Sequence, residues 1–291
     1  MVREIRRHLL YYLKIMDERC PIGVFDSGYG GLTILREIVR VLPGYDYIYL
    51  GDNARSPYGT RSFDVVYQYT DEAVRKLFNM GCRLVVLACN TASAKALRTI
   101  QQVDLPGIDP SRRVLGVIRP SVEALASYTQ NGHIGILATT GTVASESYPL
   151  EINKLYGERQ FRITQVACPM WVPLVENNEL SGCGTEFFVK KYTDELMKAD
   201  PCIDTVILGC THYPLLRHMI GAALPQGVQI IEQGHIVAES LADYLTRHTE
   251  LETLISRSGQ IQYYTTERTE LFDRMASRFM GTEIRSGKLT F

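Results

Sequence analysis

Twice in this chain, 121 residues apart, an apolar run ends in a cysteine followed at once by hydrogen-bonding residues. The first is Leu84-Val85-Val86-Leu87-Ala88-Cys89-Asn90-Thr91. The second is Val206-Ile207-Leu208-Gly209-Cys210-Thr211-His212-Tyr213-Pro214-Leu215-Leu216. Short continuous apolar runs bounded by polar turns read as strands buried on both faces of a parallel sheet. Such a sheet presents to a ligand the side chains just past the carboxyl ends of its strands. A second echo has a spacing of 113 residues: the run ending in Asp26-Ser27-Gly28 and the run ending in Thr139-Thr140-Gly141-Thr142 both pass from strand through polar turn to helix. Close spacings of two such pairs imply a duplicated unit.

The rest of the chain fits that reading. Ile22 to Phe25 is a strand, and Leu32, Leu35, Ile38, Val39 and Leu42 recur at helical spacing before Pro43-Gly44 stops the helix. Tyr47 to Leu50 is the next strand, a helix runs from about Ser62 to Met80, and Leu84 opens the third. Strand and helix in alternation specify parallel sheets with helices on both faces. Asp104 to Arg113, with two prolines and a glycine, reads as a linker. The pattern restarts with strands at Val114 to Ile118, His133 to Ala138, Phe161 to Val166 and Val206 to Gly209, and with a helix from about Thr185 to Ala199. The expected fold is α/β: two pseudo-symmetric doubly wound domains with the active site in the cleft between them. Residues 1–20 are read as an N-terminal extension, 21–113 with 228–291 as the first domain, and 114–227 as the second.

At 291 residues the chain is long enough for two domains of ordinary size. Its 31 Lys plus Arg nearly balance 32 Asp plus Glu, so no electrostatic case arises for nucleic acid or an anionic membrane surface. The seven cysteines are odd in number and form no C-x-x-C pair, which points to free thiols in a reducing cytoplasm. No apolar run reaches the length of a membrane span. Within the first twenty residues, Ile5, Leu9, Leu10, Leu13 and Met16 suggest an amphipathic surface helix, and Met16 is a candidate native start.

A thiol where a strand opens into a helix meets backbone N–H groups and the positive end of the helix dipole. The expectation is that its pKa falls from about 8.5 toward neutrality. Two such thiols across one cleft suit removal of a proton from one face of a carbon and its return on the other. Asp26 and His212 are placed to serve one thiol each, and Glu176 to support His212.

Several stretches together resemble the glutamate racemase family: Ile22 through Gly28 with Gly30-Gly31-Leu32-Thr33, Gly51-Asp52, Pro57-Tyr58-Gly59, Ala88 through Ser93, Thr139 through Thr142, Val172 through Glu176, and Leu208 through Leu216. The match runs in order over about residues 21 to 245. The resemblance implies a racemase that needs no cofactor and no metal, with Cys89 acting on D-glutamate and Cys210 on L-glutamate. It assigns Asp26, Ser27, Tyr58, Gly59, Asn90, Thr91, Thr211 and His212 to binding or assistance, and Thr139 and Thr142 to the substrate carboxylate. It further implies a homodimer, a tail that returns to the first domain, and D-glutamate destined for peptidoglycan. Ile231-Glu232-Gln233-Gly234 replaces the family's common Asp-Ser pair, and Arg119-Pro120 its Glu-Pro. Those differences are expected to bear on oligomer contacts and regulation rather than chemistry.

Other readings fit less well. A dinucleotide site after Gly28-x-Gly30 would have Thr33 in place of the third glycine and Asp26 facing a pyrophosphate. A phosphatase loop needs five residues between Cys and Arg, and Cys210 to Arg217 has six. Cys210-Thr211-His212 supplies two zinc ligands with no companion pair. An aspartate racemase is the nearest enzymatic alternative. A binding module that closes on glutamate is the alternative of another class, disfavoured because thiols in a pocket carry oxidation risk.

Overall fold

The computed structural model describes residues 19–157 and 160–291. The amphipathic stretch and Met16 lie outside them. Among the described residues ten strands form two sheets, parallel throughout. The first holds β1 (Ile22–Asp26), β2 (Tyr47–Gly51), β3 (Leu84–Leu87), β4 (Arg113–Gly116), β9 (Ile261–Thr265) and β10 (Ser286–Lys288). Its order is β10-β9-β2-β1-β3-β4. The second holds β5 (His133–Ala138), β6 (Arg162–Ala167), β7 (Thr205–Gly209) and β8 (Gln229–Ile231), in the order β6-β5-β7-β8.

The echo in the sequence is therefore an echo in topology. Strands β2-β1-β3-β4 and β6-β5-β7-β8 have the same order, with β1 matching β5 and β3 matching β7. In each half the chain reverses its direction of travel across the sheet between the paired strands, which opens a crevice at their carboxyl ends. Asp26 ends β1 and Cys89 follows β3; Thr139 follows β5 and Cys210 follows β7. Every residue of β1, β3 and β7 is buried, as their continuous apolar character demands.

Two boundaries differ from the sequence reading. The strand expected to open the second half pairs with β3 in the first sheet, Val86 opposite Leu115. Conversely, β8, expected with the first domain, pairs with β7 in the second. Both are edge strands, and nothing in their local pattern says which sheet they join. The expected linker is also more ordered than its prolines suggested, since Pro106 sits at the start of a short helix, Leu105–Ile108, where its missing N–H costs nothing. The tail does return to the first half. Helix Gln233–Arg247 packs along helix Gly31–Val41, and β9 extends the first sheet beyond β2. Among the described residues no helix is long and apolar enough to cross a membrane.

Candidate active site

Local chemistry sets the two thiols. Cys89 is the cap residue of helix Asn90–Lys95, and its sulfur accepts the N–H of Ala92 at 3.4 Å. Ser27 Oγ, at the turn after β1, lies 3.4 Å from the same sulfur. Cys210 follows β7 into a short 3₁₀ turn at Tyr213–Leu216 rather than a full helix, so its company is a side chain. His212 Nδ1 stands 3.7 Å from the Cys210 sulfur, and His212 Nε2 stands 3.1 Å from Glu176 Oε1. Glu176 closes helix Trp171–Glu176.

Both thiols line one cavity of about 80 Å³ between the halves. That is far below the roughly 300–1,000 Å³ of sites for drug-sized ligands and suits a small metabolite. Ser27, Tyr58, Gly59, Asn90, Thr91, Thr139, Thr211 and His212 join Cys89 and Cys210 in its wall. Asp26, Thr142 and Glu176 stand behind that wall. Thr91, Thr139 and Thr142 form a cluster of hydroxyls, with Thr91 3.0 Å from Thr139 and Thr139 3.1 Å from Thr142. Thr139 caps helix Thr140–Ala144 and accepts the N–H of Thr142, while Gly141 donates its N–H to the Gly59 carbonyl at 2.7 Å. The cluster thus joins the two halves, and hydroxyls that now bond one another can turn toward a carboxylate. Tyr58 contributes its ring and backbone only, because its hydroxyl donates to Asp52.

Burial governs the proton affinities. It pushes the Cys89 thiol up to about 12, and neighbouring Asp26 adds to the rise, while the Ser27 hydroxyl and the Ala92 N–H oppose it. The expected fall toward neutrality is therefore overturned for Cys89, since loss of water outweighs one helix N-terminus. Asp26 is fully buried; burial raises its pKa, against the pull of His212 and of the Gly31 and Gly28 N–H groups. Its Oδ2 accepts the Gly28 N–H at 2.9 Å, and among the described residues its Oδ1 has no partner. For His212 burial disfavours the charged ring, but the hydrogen bonds and charges of Cys210 and Glu176 win, and its pKa lies well above 6.5.

The wall also holds Ser56, Pro57, Cys168, Val172 and Pro173, which the sequence reading gave no binding role. Gly30 had appeared only as part of a glycine pattern. A Cβ there would stand 2.5 Å from His212 Nδ1, so the absent side chain is what admits the imidazole. Gln233, expected to bear on regulation, is buried and accepts an N–H from Asn90 at 2.6 Å.

This architecture recurs in known proteins. The sequence profile of the Asp/Glu/Hydantoin racemase family matches residues 22–241. A glutamate racemase of Geobacter metallireducens is 38% identical over 264 residues, spanning 90% of this chain and 93% of that protein. A glutamate racemase of Levilactobacillus brevis is 40% identical over 262 residues, spanning 89% and 91%. The crystal structure of a glutamate racemase isoform from Bacillus anthracis superposes with a TM-score of 0.85 at 34% identity, covering 94% of this chain and 98% of that one. The glutamate racemase of Francisella tularensis, solved with D-glutamate, gives a TM-score of 0.81 at 29% identity over the same shares. With these matches spanning nearly the whole chain and both thiols in one cleft, the protein belongs to the Asp/Glu/Hydantoin racemase family.

Proposed function

We propose that this protein interconverts L- and D-glutamate by proton transfer at Cα between Cys89 and Cys210, without a cofactor. The observation that carries this reading is the arrival of both thiols, from matching strands of two related sheets, in the wall of one small cavity. Each has its own proton-handling neighbour. The relatives that match along nearly the whole chain are named glutamate racemases, which supports glutamate over its shorter homologue.

In the D-to-L direction the Cys89 thiolate takes the α-proton and the Cys210 thiol delivers its own to the opposite face. The reaction ends with Cys89 as thiol and Cys210 as thiolate, and the reverse direction exchanges the roles. The high proton affinity of Cys89 makes it a strong base once ionised, and it leaves the resting residue a thiol. Asp26, whose Oδ1 has no partner among the described residues, is the group suited to take that proton. His212, braced by Glu176, does the same for Cys210. Thr91, Thr139 and Thr142, together with Asn90 and Thr211, hold the carboxylates. The D-glutamate formed would feed peptidoglycan synthesis.

Purified protein with no added cofactor should erase the circular dichroism of L-glutamate. In deuterated water the product should carry deuterium at Cα. The same assay on aspartate should show little change. A strict requirement for pyridoxal phosphate, or racemisation of aspartate alone, would overturn the proposal.

A further inference from the structure

We infer that Gln233 is a positioning residue for Asn90, fixing which atom of that amide faces the substrate; this rests on the proposed racemase reading. Gln233 opens helix Gln233–Arg247 and is buried, 2% exposed, with Tyr148 and Ser121 fully buried beside it. It is the hub of a polar network that reaches both halves of the molecule.

The orientation of this network is forced from one end. The Val117 carbonyl oxygen only accepts, and it lies 3.2 Å from Gln233 Nε2. That fixes the Gln233 amide with its nitrogen toward Val117, Ser121 Oγ at 2.8 Å and the Tyr148 hydroxyl at 2.9 Å. Gln233 Oε1 must then face Asn90. The atom of Asn90 that meets it at 2.6 Å must be the nitrogen. Asn90 Oδ1 is left to the Tyr148 hydroxyl, which donates to it at 2.8 Å. Both ends of the Asn90 amide are thereby held, and a flip would set oxygen against oxygen at Gln233.

The consequence lies in the cavity. Asn90 follows Cys89 directly and lines the same wall. Its amide nitrogen carries two hydrogens, and Gln233 takes one. Among the described residues the second has no protein acceptor. The network thus presents an N–H donor next to the base, which selects an anionic or carbonyl oxygen of the substrate and repels its ammonium group. Gln233 achieves this without reaching the cavity wall, and it couples the amide to Tyr148 of helix Ser147–Tyr156 in the second half.

A double-mutant cycle tests the inference. Gln233→Leu should lower kcat/KM for glutamate by about 10- to 100-fold, the scale set by leaving a buried amide unpaired. On an Asn90→Ala background the same change should cost less than about threefold, because the group it positions is gone. Tyr148→Phe, a smaller change that serves if Gln233→Leu does not fold, should show a weaker loss that the Asn90→Ala background likewise cancels. Glutamate affinities from calorimetry complete the same cycle if Asn90→Ala is too slow to assay. Equal losses on both backgrounds, or wild-type behaviour of Gln233→Leu, would overturn the inference. Wild-type protein that binds glutamate without racemising it would defeat the proposed function alone, and the affinity cycle would still report on Gln233.

Discussion

Sγ of Cys210 lies 3.7 Å from Nδ1 of His212, whereas the side chain bonded to Cys89 is the Ser27 hydroxyl. Two thiols at matching points of a repeated fold thus sit in unlike electrostatic settings. An imidazole braced by a carboxylate can hold a positive charge against its sulfur. A hydroxyl and a backbone N–H cannot, and the buried Asp26 works against ionisation of Cys89.

Replacing either thiol should stop turnover. Cys89→Ala and Cys210→Ala should each reduce racemisation by about 10²- to 10⁴-fold or more, the usual worth of a positioned acid–base group. Cys183→Ala, at an exposed position, should leave it unchanged. Full activity in either cleft variant would sink the two-base mechanism.

His212→Asn should lower kcat/KM by about 10²-fold. The loss must be equal in both directions, because enantiomers have the same free energy and their equilibrium constant is one. The asymmetry should appear in isotope effects. On the proposed mechanism Cys210 takes the deuteron from α-deuterated L-glutamate, which should then show a larger substrate effect than in the wild type. For D-glutamate the added effect should come from solvent, since in the proposed mechanism Cys210 there delivers the proton.

Stability should depend on pH through the same groups. Asp26 and His212 are both more basic in the folded protein than their ordinary values of 3.8 and 6.5. A group whose folded pKa is raised contributes stability fully present below its unfolded pKa and lost as pH rises through the folded value. For His212 the loss begins above about pH 6.5. Differential scanning calorimetry should therefore find Tm falling as the pH rises above about 6.5. His212→Asn should flatten that decline, and an unchanged slope would contradict the assignment.

Alkylation offers a check on Cys89. With its thiol held up to about 12, the resting residue should resist iodoacetamide near pH 8. Peptide mapping by mass spectrometry should find Cys183 and Cys202, both exposed, labelled first. Early labelling of Cys89 would mean that burial does not control its reactivity.

Gly30→Ala should mimic loss of His212. The added methyl group collides with Thr211 and with the imidazole, so the ring must move. A displacement of about 1 Å at such a group can cost about 10²-fold in rate. The variant should retain its fold by circular dichroism while kcat/KM falls. Normal activity would show that the imidazole tolerates displacement.

Local chemistry was sufficient for much of this protein. Apolar runs ending in Asp26, Cys89, Thr139 and Cys210 determine strands whose ends meet at the cavity, because a buried strand can present polar groups to a ligand only beyond its carboxyl end. The spacing of those runs also determined the duplication, and hence that both thiols belong to one site. Tertiary structure decided what depends on distant neighbours. Edge strands β4 and β8 carry no local mark of which sheet they join. The proton affinity of Cys89 follows from water excluded by the whole fold, which a motif does not record. Gln233 lies 143 residues from Asn90 and meets it only because helix Gln233–Arg247 folds back on the first half. Sequence specifies which groups each strand end carries, but the solvent around them and the partners across the cleft exist only once the two sheets have closed.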